Sequence, residues 1–195
     1  GSNAPLRGTK ATMWEGGFRV PGIFRWPGVI PAGVVQHTMM TAMDLLPTFC
    51  ALAGASLPEQ KIDGLDFTEV LRGTRATGPR DTFFYYAKHR LAGVRHGDWK
   101  LKLGNGVWEQ EEPAPELYNL RTDTGEQSDV YKNNSDVVTL LEALMERCRE
   151  DIGDDWRGMP GANRRPKGRV AQPVPLTQFD PQHPYMIAEY DGTAG

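Results

Sequence analysis

The sequence predicts an α/β protein, α+β in its details: the end of an α/β layer, then a small four-stranded antiparallel sheet packed on a C-terminal helix. Three observations predict it. An apolar run at residues 21–26 and a helical pattern at 44–54 read as strand and helix of one layer. From about residue 82 the apolar spacing changes from helical to alternating. Between 135 and 153 it becomes helical again. The domain reading follows these changes: 1–80 for the α/β end, 81–153 for the sheet and helix, and 154–195 for an extended tail.

Residues 21–26 lie between Pro21 and Pro27, as expected of a short buried strand bounded by proline. Pro27-Gly28 and Pro31-Ala32-Gly33 make 27–36 a loop. Asp44 is the expected N-cap of a helix and Gly54 its C-terminal stop, which puts Pro47 in the first turn, where its missing N–H breaks no bond. Leu45, Leu46, Phe49, Leu52 and Ala53 form its expected apolar face. His37 reads as a surface histidine. Ile62-Asp63-Gly64-Leu65-Asp66 reads as a turn, with Asp66 starting a short helix over 67–72.

Thr82–Ala87 is β-rich, and Leu91–Arg95 and Trp99–Leu103 flank a tight turn at His96-Gly97-Asp98. Trp99, Leu101 and Leu103 alternate with Lys100 and Lys102, which predicts one apolar and one solvated face. Glu116–Leu120 supplies the fourth strand. Ser135 is the expected cap of a helix whose apolar residues are Val137, Leu141, Leu144, Cys148 and Ile152; it explains Asn133-Asn134-Ser135 better than glycosylation does. Residues 154–195 lose periodicity and are rich in Gly, Pro and Arg, so no independent core is expected there. Phe179, Tyr185 and Tyr190 are candidate anchors for this tail, and Arg164, Arg165, Lys167 and Arg169 form a basic cluster.

Composition narrows the partners. The 195 residues are 39% hydrophobic and 24% charged with a net charge of −3, which suits a globular domain and implies neither nucleic acid nor membrane. No apolar run reaches about 18 residues, the length of a membrane span. Two cysteines on two helical patterns predict buried free thiols rather than a disulfide scaffold.

One stretch carries chemistry. Arg7-Gly8-Thr9-Lys10 puts an ammonium in a loop that glycine lets approach an anion closely. Thr12-Met13-Trp14-Glu15-Gly16-Gly17-Phe18-Arg19-Val20-Pro21 follows, closed by Trp26-Pro27-Gly28. This run resembles the sulfatase segment G-K-x-T-x-(W/Y/F)-E-G-G-x-R-x-P-x-(I/L)-x-x-W-P-G. The resemblance continues through Met43-Asp44-Leu45-Leu46-Pro47-Thr48, Ile62-Asp63-Gly64-Leu65-Asp66, Trp99-Lys100-Leu101 and Glu116-Leu117-Tyr118-Asn119-Leu120, with Asp123, Gly125 and Glu126, and covers about residues 1–150.

The resemblance implies an alkaline-phosphatase-like α/β domain followed by a small subdomain, and hydrolysis of sulfate esters by the full-length protein. It implies formylglycine, made from the Cys or Ser of a C-x-P-S-R motif, beside a calcium ion. Cys50 precedes Ala51-Leu52-Ala53-Gly54 and Cys148 precedes Arg149-Glu150-Asp151-Ile152, so neither stands in that motif. The nucleophile and the calcium ligands are therefore expected outside this chain, and the chain alone is expected to be inactive. Lys10 matches the family lysine that contacts sulfate and is the expected catalytic and substrate-binding residue. His89 and Arg90, with Lys88, lie between two strands in a loop that faces the substrate in related enzymes, and are expected substrate contacts. Glu15 and Arg19 are expected to brace the lysine loop through a charge-assisted bond. The expected partners are a sulfate ester, sulfated sugars among them, the missing N-terminal part, and a second copy of the chain. The resemblance places the protein in the periplasm or outside the cell. Two readings stay open beside it: a non-catalytic binding module, and a phosphoester or phosphonate hydrolase of the same superfamily.

Overall fold

The structure is a computed structural model of the chain, and residues 2–109, 114–166 and 171 are described. Residues 1–164 form one compact unit and residues 165–195 another. Of the expected tail, Lys167, Arg169, Phe179, Tyr185 and Tyr190 lie outside the described residues.

Four strands follow one another in a meander, β1 (Thr82–Ala87), β2 (Arg90–His96), β3 (Trp99–Lys102) and β4 (Glu116–Asn119), each antiparallel to the next. Two-residue turns join the first three. Lys88-His89 closes one with Lys88 at φ 59°, and Gly97-Asp98 closes the other with Gly97 at φ 56°. A bulge opposite Tyr85 and Tyr86 leaves Ala92 as the extra residue of β2. It lets Leu91 and Val94 join the same apolar cluster although they are three apart.

Helix α4 (Ser135–Asp151) covers one face of this sheet. Val138, Leu141, Met145 and Cys148 pack there on Leu91, Val94, Leu101 and Leu117. Ser135 is the first residue of the helix rather than its cap; Asn134 precedes it and donates its side-chain N–H to the Val130 carbonyl at 2.8 Å.

The opposite face is not solvated. Residues 7–18, including the one-turn helix α1 (Glu15–Phe18), lie across it. Met13 packs with Tyr85, Ala87 and Ala92, and Trp14 packs with Tyr118 and Leu120. Lys100 and Lys102, expected in water, are 0% and 1% exposed. Alternation predicts their face but not its burial, because the covering segment lies over it and Glu15, Glu126 and Glu116 supply acids for them.

Two expected elements of the first layer differ. Residues 21–26 form no strand, and Val20 and Ile23 are 84% and 94% exposed, because no ladder partner exists for them among the described residues. Helix α2 (Leu45–Ala53) ends as expected at Gly54, φ 66°. It buries Pro47 and Thr48 rather than the expected face, leaving Leu46 and Phe49 exposed. Asp44 does not cap it. Buried in the preceding 3-10 turn (Ala42–Asp44), its carboxylate accepts from Thr41, from the Leu65 N–H at 2.8 Å and from the Arg80 guanidinium. Helix α3 (Thr68–Leu71) is one turn, with the Asp66 carboxylate accepting from the Thr68 N–H at 2.8 Å.

The order continues past residue 153. Asp154 is buried, receives Arg149 Nε at 3.1 Å, and starts a 3-10 turn (Asp155–Arg157). Arg164 pairs with Asp155. Among the described residues no helix is long and apolar enough to cross a membrane. Both cysteines are free thiols; Cys148 is buried and Cys50 half-buried.

Candidate functional site

Lys10 sits on a short stiff loop. Thr12 closes it twice: its hydroxyl donates to the Thr9 carbonyl at 2.7 Å and accepts from the Thr9 N–H at 3.1 Å. Ala11 takes φ 71°, which turns the chain at the lysine. Gly8 is needed for space and conformation, Gly16 for space. A Cβ on Gly8, itself at φ 82°, would meet Thr12 Oγ1 at 2.5 Å, and one on Gly16 would meet the Arg7 carbonyl at 2.5 Å. The Lys10 side chain is exposed.

Beneath the loop lies a cluster of buried charges. Glu15, 1% exposed, accepts from Tyr85 Oη at 2.7 Å and Lys100 Nζ at 3.0 Å, and pairs with Arg95 at 3.3 Å. Lys100 also pairs with Glu126 at 2.8 Å, and Glu126 Oε2 accepts the Glu15 N–H at 2.6 Å. Burial by itself would raise the Glu15 carboxyl, but Lys100, the Tyr85 hydroxyl and Arg95 outweigh it and hold it below its ordinary value. Burial pushes the Tyr85 hydroxyl well up, helped by Glu15. Lys102 lies 4.0 Å from the Trp14 ring, pairs with Glu116, and is shifted down, burial being the largest cause. Arg7 approaches the same indole at 3.7 Å and donates to the Glu126 carbonyl at 2.8 Å. The loop is thus bolted to β3 through charge.

Arg19 takes no part in this. Its side chain is exposed, and its recorded link to Glu15 is a backbone bond, Arg19 N–H to the Glu15 carbonyl at 2.8 Å. The expected Glu15–Arg19 brace is replaced by Lys100 and Arg95, which sequence distance hid. An acid placed before two glycines, and two lysines on an interior strand, were the signals that could have joined them.

Three elements converge beside Lys10. Residues 105–107 pair with 11–13: the Val107 N–H donates to the Ala11 carbonyl at 3.1 Å and the Met13 N–H to the Asn105 carbonyl at 2.9 Å. Lys10 and Trp108 therefore leave the same end of this pairing. Lys88, at the β1–β2 turn, stands 4.7 Å over the Trp108 ring. His89 beside it is exposed, and its carbonyl accepts the Asp155 N–H at 3.0 Å. Arg90 is 4% exposed; its Nη2 donates to Glu109 at 2.7 Å and its guanidinium lies 4.3 Å from the Trp156 ring. Its Nη1 has no hydrogen-bond partner among the described residues. Lys10 thus leaves the same end of the pairing as Trp108, over which Lys88 stands, while Arg90, expected against the substrate, is buried and holds Glu109 instead. Trp108 was not singled out in the sequence, although a tryptophan in a Gly-Asn-Gly loop is an unusual exposed residue.

Comparison with known proteins decides the family. The sequence family described as N-sulphoglucosamine sulphohydrolase, C-terminal, matches residues 9–151. This chain belongs to that sulfatase family. Arylsulfatase G of Rattus norvegicus is 35% identical over 164 residues, covering 75% of this chain and 31% of that protein. Among solved structures, the PsFucS1 sulfatase from Pseudoalteromonas sp. aligns at 26% identity and a TM-score of 0.66, over 74% of this chain and 32% of that one. Ps i-CgsB in complex with k-i-k-neocarrahexaose aligns at 33% identity and a TM-score of 0.62, over 75% of this chain and 32% of that one. The sulfatase chain described here thus spans about a third of the length of these relatives. Its fold is the expected one: the closing part of an alkaline-phosphatase-like α/β protein, with a four-stranded antiparallel sheet on a helix.

Proposed function

We propose that this chain is the C-terminal part of a sulfuric ester hydrolase whose full-length form cleaves sulfate esters, sulfated sugars among them, in the periplasm or outside the cell. The observation that carries this reading is that Lys10, on its stiff loop, leaves the same end of the 105–107 pairing as Trp108, over which Lys88 stands. Sulfate-ester cleavage builds negative charge on the bridging and sulfuryl oxygens. An ammonium held on a stiff loop stabilises that charge without reorganising first. His89, exposed at the β1–β2 turn, contacts other polar groups of the substrate, whereas Arg90, buried, is a positioning residue that holds Glu109. Glu15 is a positioning residue: it fixes the segment that carries Lys10 to Lys100 and Arg95. The Ps i-CgsB complex with neocarrahexaose supports an oligosaccharide substrate.

Formylglycine and calcium supply the family's nucleophile and a cationic clamp when present. The described residues do not fit them. Among the described residues no group of three or more His, Cys, Asp or Glu is disposed to hold a metal, and neither cysteine stands in the C-x-P-S-R motif. Both belong to the rest of the full-length protein.

The test is sulfate release by the full-length protein, run beside phosphate and phosphonate esters. Lys10→Ala is expected to lower kcat/KM for sulfate esters by roughly 10²–10³-fold, the size of a lost transition-state charge contact. The 195-residue chain alone is expected to show no turnover above its own Lys10→Ala control. A Lys10→Ala enzyme within twofold of the unmodified one would remove Lys10 from the chemistry. Preference for a phosphate or phosphonate ester would change the bond cleaved.

A further inference from the structure

Trp108 is 78% exposed, although burying an indole is among the larger apolar gains a side chain offers. It is not at the tip of a loose loop. Glu109, next in sequence, accepts the Asn105 N–H at 2.7 Å through Oε1 and Arg90 Nη2 at 2.7 Å through Oε2. Burial alone would raise the Glu109 carboxyl, but these partners hold it below its ordinary value. On the other side, Gly106 bridges Thr12, and a Cβ on Gly106 would meet the Ala11 carbonyl at 2.9 Å. Lys102 donates to the Asn105 side chain. The indole is thus presented from a clamped turn, with Glu109 held by buried Arg90 and the Val107 N–H held by the Ala11 carbonyl.

Its surroundings have one character. Lys88 approaches the ring at 4.7 Å, His89 is the next residue, and Lys10 leaves the same end of the pairing as Trp108. An exposed indole with one ammonium over its face and another leaving beside it suits one class of ligand: a pyranose ring that carries sulfate or carboxylate. The C–H face of such a ring stacks on an indole, and its anionic substituents meet the ammonium groups. An uncharged apolar ligand would leave Lys88 and Lys10 unused, and a bare sulfate ion would leave the ring unused.

We propose that Trp108, with Lys88, forms a saccharide-stacking subsite that binds a pyranose ring of an anionic oligosaccharide while Lys10 takes the sulfate ester. This rests on the reading of Lys10 as the sulfate contact. It adds a specificity-determining residue from the small subdomain.

The test measures affinity and catalysis separately, on the full-length protein. The probes are sulfated galactan and sulfated glucosamine-type hexasaccharides, the same hexasaccharides desulfated, and inorganic sulfate, titrated calorimetrically. At least one sulfated hexasaccharide is expected to bind more tightly than inorganic sulfate and to quench the fluorescence that Trp108→Phe removes. Trp108→Ala is expected to weaken that hexasaccharide about tenfold, the effect of losing one aromatic stacking surface. Trp108→Phe restores part of the loss, and Lys88→Ala weakens the sulfated probe more than the desulfated one. Unfolding midpoints equal to that of the unmodified protein exclude a folding cause. The subsite is refuted if every hexasaccharide binds no tighter than inorganic sulfate. It is also refuted if Trp108→Ala leaves the affinity within twofold, or if acrylamide fails to quench Trp108 in the free protein, which would mean the rest of the chain covers it. Failure of the underlying reading looks different: hexasaccharides bind through Trp108, yet the protein releases no sulfate.

Discussion

Lys100 touches two carboxylates and a tyrosine ring in a site that excludes water, and no part of that is visible in its neighbours in sequence. Its ammonium reaches Glu15 from one segment and Glu126 from another, 85 and 26 positions away, and stands 4.4 Å from the Tyr85 ring. Removing one partner of such a cluster leaves a buried charge short of compensation. Glu15→Gln is expected to cost about 3 kcal/mol, near the lower end for a broken buried pair because Glu126 still serves Lys100; urea unfolding at pH 7 measures it. The effect depends on pH in a stated direction. Glu15 and Asp44 both titrate lower folded than unfolded, despite burial, through Lys100 in one case and Arg80 in the other. Their contribution is fully present above the unfolded carboxylate value of about 4 and disappears as pH falls through the lower folded values. The stability gap between unmodified protein and Glu15→Gln should therefore narrow below about pH 4. A gap that stays constant to pH 2 would exclude an electrostatic origin. At this scale the sequence was half legible. Lys10, His89 and Arg90 stood out by residue type and by family pattern, but burial of Arg90, Lys100 and Lys102 depends on what covers them. A period of two says only which side chains share a face.

The sheet and helix α4 are where local pattern and structure agree best. Strand boundaries, the turn at Gly97-Asp98 and the helix span all follow from alternation, glycine at a positive φ, and helical spacing. These elements are legible because each buries its apolar side within the chain itself. Leu141, fully buried against the sheet, tests that packing: Leu141→Ala is expected to lower stability by roughly 2–5 kcal/mol. Cys148, one turn from the end of the same helix, gives a chemical readout. Burial, only partly offset by the Tyr86 hydroxyl, pushes its thiol up to about 11. The thiolate is the reactive form, so at pH 8 iodoacetamide should modify Cys50 and spare Cys148. A second label should enter only in denaturant. Equal labelling of both thiols in the native chain would mean that α4 opens freely. Residues 21–26 and helix α2 were read less well for the opposite reason. Ile23, Trp26, Leu46 and Phe49 are exposed while Phe24, Leu45 and Leu52 are only half-buried, so spacing identified a face and the structure leaves much of it bare.

That bare face governs the behaviour of the whole molecule. Val20 and Ile23 are more than four-fifths exposed, Val35 is 75% exposed, and Met43, Leu46 and Phe49 add further apolar surface on the turn and helix that follow. Scattered exposed hydrophobics are ordinary, but eight within thirty positions, Trp26 and Val34 included, are the composition of a covered surface. The extended stretch at 19–26 also presents backbone groups without ladder partners among the described residues, which invites pairing with another chain. The chain spans about a third of its relatives, and we expect the remaining part of the full-length protein to cover this face. Without that cover, a second copy offers the same apolar area. The isolated 195-residue chain is therefore expected to form dimers or larger species in a concentration-dependent way, measured by light scattering across a dilution series. Replacing Val20, Ile23 and Phe49 together by Ser should shift it toward monomer with little change in the unfolding of the sheet and α4, whose core lies elsewhere. Association that survives this triple change would move the interface to another surface. A clean monomer at every concentration would mean that these side chains are satisfied as they stand, and would remove the argument that this face needs a partner.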